Sequence, residues 1–243
     1  MRHNMRPSAK QSKGYFCICR VCIIILHFAL ILVQSPPVNS MSHVLKSKSN
    51  RALQVLAVVG SLGRDSVTRL VLREVCRQLG GRQCGVDLLD LRAEPLPLFN
   101  PDTAFAAPGF GALRERVTRA DVLLLGSPDY HGGMSSAMKS FLDHFWKEFA
   151  GKLFATVVVS HEKGLTVSDQ LRTVARQCQA WTLPYAVSVH SEESVQGGKI
   201  VDAALRRRLG MLTRDIAVYG ALLARQRRAD LAGREAGFLG RIR

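Results

Sequence analysis

The chain has 243 residues, of which 47% are hydrophobic and 22% are charged, so it can form one α/β domain with a full core and is not disordered. Its formal net charge is +15, and such a surface attracts phosphates and other anions. Zinc-finger spacing and aromatic-rich basic motifs are absent from the sequence, which excludes the common nucleic-acid-binding modules. Neither a metal site nor a specific nucleic-acid partner is predicted.

The first fifty residues form a basic and apolar extension that we set apart from the fold. Residues 1–50 contain lysines and arginines but no acid, and residues 21–33 are an apolar run that only His27 interrupts. A basic start, a short apolar run and a small-residue site at Ser40 are typical of a secretory signal peptide. The run is shorter than the about 20 residues of a membrane span. A signal peptide, a retained anchor and a start site assigned upstream of the true Met41 all remain open.

From residue 51 onward, short apolar runs alternate with helical patterns. Uninterrupted apolar runs are typical of strands buried on both faces of a parallel sheet. Strands are predicted at 53–59, 86–91, 121–126, 153–159 and 185–189, and helices at 67–79, 113–117, 134–149, 165–180 and 199–224. The alternation predicts one doubly wound α/β domain over residues 51–224, with a five-stranded parallel sheet between two helical layers. A solvated basic tail is predicted for residues 225–243.

Ligands of such sheets bind beyond the carboxyl ends of the strands, where the strand order reverses. The first loop at these ends, residues 60–66, joins a strand to a helix N-terminus, where N–H groups and the helix dipole favour an anion. Ser61, Arg64 and Ser66 add donors for a monophosphate. A plain turn with Ser66 as the helix cap is the alternative. Walker and Rossmann glycine patterns are absent from the sequence, which disfavours a nucleoside triphosphate or a tightly held dinucleotide.

Two further loops leave the same ends, at residues 127–135 and 160–164. The second loop contains Pro128 and two glycines, which let the backbone approach a flat ligand, while Tyr130 and His131 offer ring faces and polar tips. A simple Pro-Gly turn before a helix is the alternative. The third loop, Ser160-His-Glu-Lys-Gly164, is read as a turn with solvated charges.

In their order and spacing, these segments resemble the NAD(P)H-dependent FMN reductase family, which has a flavodoxin-like fold and includes enzymes described as quinone, azo-dye and chromate reductases. The resemblance covers residues 52–224. It rests on Gly60-Ser61 with Arg64, Ser66 and Arg69, on the Pro-rich stretch 90–102, on Ser127-Pro-Asp-Tyr-His-Gly132 with Ala137-Met-Lys-Ser-Phe-Leu-Asp143, and on Gln170-Leu-Arg172.

The resemblance implies a cofactor, a donor and an acceptor. FMN would be bound, NADPH or NADH would be the donor, and a small molecule such as a quinone would be the electron acceptor. The flavin would carry the chemistry, so no catalytic side chain is expected. The family also implies a homodimer or homotetramer, with the helix of Lys139 and Asp143 near the interface.

The resemblance also assigns residues by position. The FMN phosphate would be held by Ser61, Arg64, Ser66 and Thr68. The isoalloxazine would be lined by Pro128, Asp129, Tyr130, His131 and Gly132, and its far side closed by the third loop with His161 and Gly164. The chain departs from the family pattern in the position of Arg64, in Asp129 for Glu, in His131 for Asn and in a third loop without its glycine pair, changes that bear on acceptor specificity.

Two rival functions come from other classes. One is a flavodoxin-like electron carrier that does not use nicotinamide, although such carriers are typically acidic and this chain is basic. The other is a non-catalytic, basic nucleotide- or nucleic-acid-binding module. Reduced-nicotinamide chemistry belongs inside the cell, which favours a true start at Met41 with the upstream start wrongly assigned, a cytoplasmic location and no membrane association of the mature domain. Secretion stays possible.

Overall fold

The computed structural model describes residues 51–242. The signal-like segment predicted within residues 1–50 lies outside the described residues. The strands are β1 (Gln54–Val59), β2 (Gly85–Asp90), β3 (Val122–Tyr130), β4 (Gly133–Met134), β5 (Leu153–Ser160), β6 (Trp181–Thr182), β7 (Val187–His190), β8 (Val195–Gln196) and β9 (Lys199–Ile200). The helices are α1 (Val67–Gly80), α2 (Phe110–Arg119), α3 (Ser136–Asp143), α4 (Leu165–Gln177), α5 (Ser191–Ser194) and α6 (Ala203–Ala232), with short 3-10 helices at Ala104–Ala106 and Phe238–Ile242.

The main sheet has the order β2-β1-β3-β5, and β6 and β7 both pair with β5 beyond it. All of these pairings are parallel. The short strand β4 pairs antiparallel with β3, and β8 and β9 form a separate hairpin. The chain moves outward from β1 to β2 and then returns to place β3 on the other side of β1, so the strand order reverses between β1 and β3. The predicted doubly wound α/β fold is confirmed.

Both faces of the sheet are buried, and alternate residues of β1 point to different clusters. Val55, Ala57 and Val59 pack in the cluster that contains α1 and α6. Leu56 and Val58 pack in the cluster that contains α2, α3 and α4. Burial on both faces explains why the strand reads as an unbroken apolar run.

The structure differs from the prediction in three elements. The fifth strand is split into β6 and β7, which reach different parts of β5. The helix predicted over 134–149 ends at Asp143, and turns then carry Phe145 and Phe149 into the core. Residues 199–200 belong to β9 rather than to the closing helix.

The last helix extends eight residues beyond its predicted end at 224, to Ala232. Part of the segment predicted as a solvated tail is therefore helical and anchored. Arg227 donates from Nε to the Ala150 carbonyl at 2.8 Å, and Leu239 is only 1% exposed. Basic composition indicated a tail, but contacts with distant residues fix the segment to the domain.

Within residues 51–242, no helix combines the length and the apolarity needed to cross a membrane. The same residues contain no group of three or more His, Cys, Asp or Glu side chains arranged to hold a metal ion.

Candidate functional site

The three predicted loops meet at the carboxyl edge of the sheet, because they follow the neighbouring strands β1, β3 and β5. Hydrogen bonds join the first two loops: Gly60 N donates to Gly126 O at 2.8 Å, and Ser135 Oγ donates to Gly60 O at 2.7 Å. The second and third loops are joined by Ser160 Oγ, which donates to Asp129 Oδ2 at 3.1 Å. The loops therefore form one connected rim across the point where the strand order reverses.

Two arginines hold the carbonyl oxygens of the first loop. Arg69 donates to the carbonyls of Gly63 at 2.9 Å, Arg64 at 3.0 Å and Ser61 at 3.4 Å. Arg92 donates to the carbonyl of Leu62 at 2.6 Å. The N–H groups of residues 61–66 donate to no protein acceptor in the part of the chain that the structure describes. The loop thus has its carbonyls at residues 61–64 bound and its N–H donors at residues 61–66 available.

Arg69 is itself locked by an acidic partner. Its Nε and Nη2 donate to the two carboxylate oxygens of Asp90 at 2.5 and 3.2 Å, and it is 9% exposed. Burial acts to raise the pKa of Asp90, but hydrogen bonds from Arg69 and the Arg92 N–H, with the charges of Arg69 and Arg73, hold the pKa below its usual value. The Arg69 charge is therefore used inside the protein and positions the loop.

The predicted phosphate ligands differ in their exposure and in the partners they already have. Arg64 is exposed, and its guanidinium has no hydrogen-bond or ion-pair partner among residues 51–242. Ser61 is buried in the loop, and Ser66 caps α1 by accepting from Arg69 N at 3.1 Å, which leaves its hydroxyl proton available. Thr68 is 2% exposed and packs beneath the loop, with its methyl group towards Gly126.

This arrangement fits a phosphate monoester. A dianion at a helix N-terminus is stabilised by free N–H groups, hydroxyl donors and a positive dipole, and Arg64 adds a mobile charge. Close packing keeps the loop near the sheet: a Cβ on Gly60 would lie 2.9 Å from the Gly126 carbonyl and 2.9 Å from Met138 Cβ. Any larger residue would push the loop outward.

The second loop is a tight hairpin between β3 and β4. Tyr130 pairs with Gly133, and the two central residues, His131 and Gly132, have φ of +55° and +75°. Positive φ at both central positions is what a type I′ turn requires, and it follows the right-handed twist of the strands. Among residues other than glycine, Asn tolerates the positive φ of the first position well, so His131 is a less common choice there.

Side chains from two other elements fix this hairpin. Asp129 Oδ1 accepts from Gly132 N at 2.8 Å, while Gln170 accepts from Met134 N at 2.9 Å and donates to Gly132 O at 3.2 Å. Since Oδ2 of Asp129 is bonded to Ser160, both oxygens of this carboxylate serve the protein itself. Tyr130 is 56% exposed at the tip.

A cleft of about 810 Å³ lies between the second and third loops. It is lined by Asp129, His131 and Gly132 on one side and by residues 160–166 on the other. Gly164 has φ of +60°, and a Cβ there would lie 2.6 Å from Val158 Cγ1, so glycine is required at this turn. His161 lies edge-on to His190, with 6.3 Å between the ring centroids. The size of the cleft suits a flat multi-ring ligand.

The Pro-rich stretch after β2 forms a separate wall of the rim. With Leu62 of the first loop and Ser136 of α3, it encloses a cleft of about 480 Å³, and Arg92, Pro95 and Leu96 line it. Sequence reasoning missed the positioning roles of four residues, each of which bonds to a backbone or side-chain group of another segment of the rim: Arg92, Ser135, Ser160 and Gln170. Arg69 and Gln170 lay within the family-like segments, but only the fold shows what they hold.

A parallel sheet with a monophosphate cradle after its first strand and a flat-ring cleft beside it defines a mononucleotide-binding protein of the flavodoxin type. The chain belongs to the NADPH-dependent FMN reductase family, whose sequence pattern matches residues 53–194.

Individual relatives agree with this membership. The chain is 26% identical over 148 residues to an FMN-dependent NADPH-azoreductase of Staphylococcus haemolyticus, covering 57% of this chain and 77% of the relative. Among solved structures, it is similar to FerB, a flavoenzyme NAD(P)H:(acceptor) oxidoreductase from Paracoccus denitrificans, with a TM-score of 0.58 at 21% identity, over 70% of this chain and 98% of that one. A flavodoxin from the domain Archaea matches with a TM-score of 0.50 at 12% identity, over 70% and 99%.

These likenesses confirm several of the predictions. The fold is flavodoxin-like, the cofactor is FMN, and the protein is an NAD(P)H-dependent oxidoreductase. It acts on a small-molecule acceptor. The roles of individual residues stay predictions that rest on the geometry described above.

Proposed function

We propose that this reductase holds FMN at the carboxyl edge of its sheet and passes electrons from NADPH or NADH to a small planar acceptor such as a quinone or an azo compound. When bound, FMN supplies the redox chemistry. The protein binds and orients it. The observation that carries the proposal is the first loop: Arg69 and Arg92 bind its carbonyls at residues 61–64, while the N–H groups of residues 61–66 donate to no acceptor within residues 51–242.

In this proposal the phosphate is held by Ser61, Ser66 and the loop N–H groups, with Arg64 closing over it from solvent. Thr68 supports the loop from beneath, since its side chain is buried against Gly126. A phosphate monoester gains a charge-assisted hydrogen bond from each N–H group that points to it, which stabilises binding beyond the Arg64 contact alone.

The ring system is placed in the cleft between the second and third loops. His131 and Gly132 line one wall, and His161 and Gly164 line the other. Pro128 and Tyr130 adjoin the first wall on β3, on either side of Asp129. Asp129 acts through the backbone, because both of its oxygens are bonded to Gly132 N and Ser160 Oγ. Its role is to hold the hairpin so that backbone groups meet the ring edge.

The choice of acceptor follows from the openness of this edge and from the azoreductase relative. Tyr130 and Leu165 are both more than half exposed beside the cleft, and they offer apolar area to a flat aromatic molecule. The second substrate is therefore expected to stack rather than to be enclosed. No side chain of the cleft is needed as a nucleophile.

The assembly is proposed to be a homodimer or homotetramer. Leu98, Phe105 and Trp146 expose large apolar side chains near α3, the helix of Lys139 and Asp143. Light scattering on the purified protein tests this, and a monomer would contradict it. A cytoplasmic location is also proposed, because the donor is intracellular and Cys76, Cys84 and Cys178 are unpaired; fractionation of the source cells tests that proposal.

The decisive experiment is an anaerobic titration of the protein reconstituted with FMN. Visible absorbance of bound flavin should appear and then bleach on addition of NADPH, and colour should return when a quinone or an azo dye is added. Flavin bands that persist with both nicotinamides would indicate an electron carrier. Absence of bound flavin together with salt-dependent DNA binding would indicate the basic binding module.

A further inference from the structure

A second cavity lies behind the Pro-rich wall, away from the phosphate loop. It has a volume of about 300 Å³ and lies between the Pro-rich stretch, the 3-10 helix Ala104–Ala106 and α2. Most of its lining is apolar: Leu89, Leu96, Pro97, Ala104, Phe110 and Leu113. An apolar cavity of about half this volume is enough to bind benzene.

The polar side chains that line the cavity are Glu94, Arg116 and His144. Two of them neutralise each other, because Arg116 Nη1 donates to Glu94 Oε2 at 2.7 Å, and the rest of the guanidinium is bonded to Asp87. His144 is different. It is 3% exposed, and its Nδ1 lies 2.7 Å from the Ser140 carbonyl oxygen.

That contact fixes the tautomer of the His144 ring. A carbonyl oxygen can only accept, so Nδ1 donates, and Nε2 of the neutral ring is then an acceptor. No residue among 51–242 is hydrogen-bonded to Nε2. Phe99, Phe110 and Phe145 hold the ring, with centroid separations of 5.2, 6.0 and 6.3 Å. The cavity therefore combines aromatic walls with one fixed acceptor.

We propose that this cavity is a binding site for a small monocyclic phenol, whose ring packs against Phe110 and the prolines and whose hydroxyl group donates to His144 Nε2. An apolar pocket with one oriented polar group is the usual form of a small-molecule site. Pro95 and Leu96 line both this cavity and the cleft beside the first loop, so the two share a wall. Ser140 Oγ ties that wall to α3 by donating to Pro97 O at 3.1 Å and accepting from Phe99 N at 3.0 Å.

The test compares phenol with anisole, which has the same ring and oxygen but no O–H donor. Both are titrated by ligand-observed NMR at pH 8 into the FMN-loaded, full-length protein, with the flavin spectrum recorded in parallel. Phenol should bind saturably. The ratio of the anisole to the phenol dissociation constant should fall about fivefold in His144→Phe, which keeps an aromatic ring and removes the acceptor, since one hydrogen bond contributes roughly that factor.

A second pair of variants keeps the proposal testable should His144→Phe fail to fold. Ala107→Leu fills the cavity from a half-buried lining position, and Ala106→Leu adds the same atoms at an exposed neighbour that does not line it. Phenol binding should be lost in the first and kept in the second. Binding that survives Ala107→Leu, an unchanged anisole-to-phenol ratio in His144→Phe, or the lack of saturable phenol binding to the parent protein would each overturn the proposal.

Discussion

The two edges of the parallel sheet use basic residues in opposite ways. At the carboxyl edge, the Arg64 guanidinium and the N–H groups of residues 61–66 have no hydrogen-bond partners within residues 51–242. At the amino edge, Arg228 bonds to Asp121 at 3.1 Å, and the buried Lys152 donates to the carbonyls of Val117 and Thr118. One edge leaves a basic side chain exposed at the candidate site, and the other uses its basic side chains as hydrogen-bond donors within the fold.

Helix direction explains the contrast. The crossover helices of a parallel sheet run opposite to the strands, so helix N-termini gather at the carboxyl edge and helix C-termini at the amino edge. The N-terminus of α1 therefore presents free N–H groups to an anion. The last carbonyls of α2 face the other way and are satisfied by Lys152. Basic residues thus belong to the candidate phosphate site at one edge and to contacts within the fold at the other.

The largest effect is expected from Arg69→Ala, which would release the first loop, residues 60–66, at the carboxyl edge. The change frees three loop carbonyls and leaves Asp90 without its ion pair, so we expect a loss of about 3 kcal/mol in unfolding free energy and at least about a hundredfold weaker FMN binding. Urea denaturation and flavin fluorescence titration measure the two quantities. Arg73→Ala, an exposed arginine on the same helix, is the control and should change stability by less than about 0.5 kcal/mol. If Arg69→Ala bound FMN with the affinity of the parent protein, the proposal that Arg69 positions the first loop for the FMN phosphate would be wrong.

The amino edge should show its own pH dependence through Lys152. Burial, helped by the charge of Arg227, lowers the pKa of Lys152 to about 7, against the opposing charges of Asp121 and Glu148. The unfolded chain then binds more protons than the folded one between about pH 7 and the ordinary lysine pKa near 10.4, so this residue's contribution to stability rises with pH across that window. We expect the unfolding free energy of the parent protein, relative to Lys152→Met, to increase by a few kcal/mol from pH 7 to 10. A difference that is flat with pH would show that the amine stays charged inside the protein.

A crossed pair of variants sharpens the comparison between the edges. Arg64→Ala should weaken FMN binding about tenfold or more without changing stability, because it removes a charge-assisted contact from an exposed side chain. Arg228→Ala should lower the unfolding free energy by about 1 kcal/mol without changing FMN affinity, because its partner Asp121 also accepts from Gln54 N at the start of β1. Equal effects of both variants on FMN affinity would contradict the proposal that basic residues at the carboxyl edge bind FMN while those at the amino edge only stabilise the fold.

The smallest effect is expected at the hairpin. His131→Val should destabilise by about 1 kcal/mol, because a β-branched residue is strained at φ of +55°, whereas His131→Asn should be neutral within about 0.5 kcal/mol. Thermal unfolding of the two variants makes the comparison. If Val and Asn behaved alike, the hairpin would not be held in the type I′ conformation in solution.

Several parts of the site could be predicted from the sequence because they depend on local patterns. The buried strands form apolar runs in the sequence, the loops after β1, β3 and β5 contain glycine and serine, and the first of them also contains Arg64. Parallel pairing then requires those loops to share an edge. The positioning contacts were beyond such reasoning, since Arg69 reaches Asp90 and Gln170 reaches the hairpin only after the chain has folded.

The contacts of the C-terminal segment likewise could not be predicted from the sequence. A run rich in arginine is typical of a solvated tail, yet Arg227 and Arg228 bond to Ala150 and Asp121, more than seventy residues earlier in the chain. The composition of a segment gives its charge but does not show which hydrogen-bond acceptors its arginines will contact in the folded protein. For the same reason the split of the fifth strand into β6 and β7 could not be read from residues 185–189.

The sequence by itself determined the fold class and the family, and it predicted the edge of the sheet at which the candidate site lies, because periodicity, glycine placement and motif order are local properties of a chain. Tertiary structure decided which arginine binds the loop and which one stays exposed beside it, that Asp129 bonds to groups of the protein, and that His144 lines an apolar cavity. These are choices among partners of similar chemistry. They depend on which hydrogen-bond acceptors lie within about 3 Å once the core has packed.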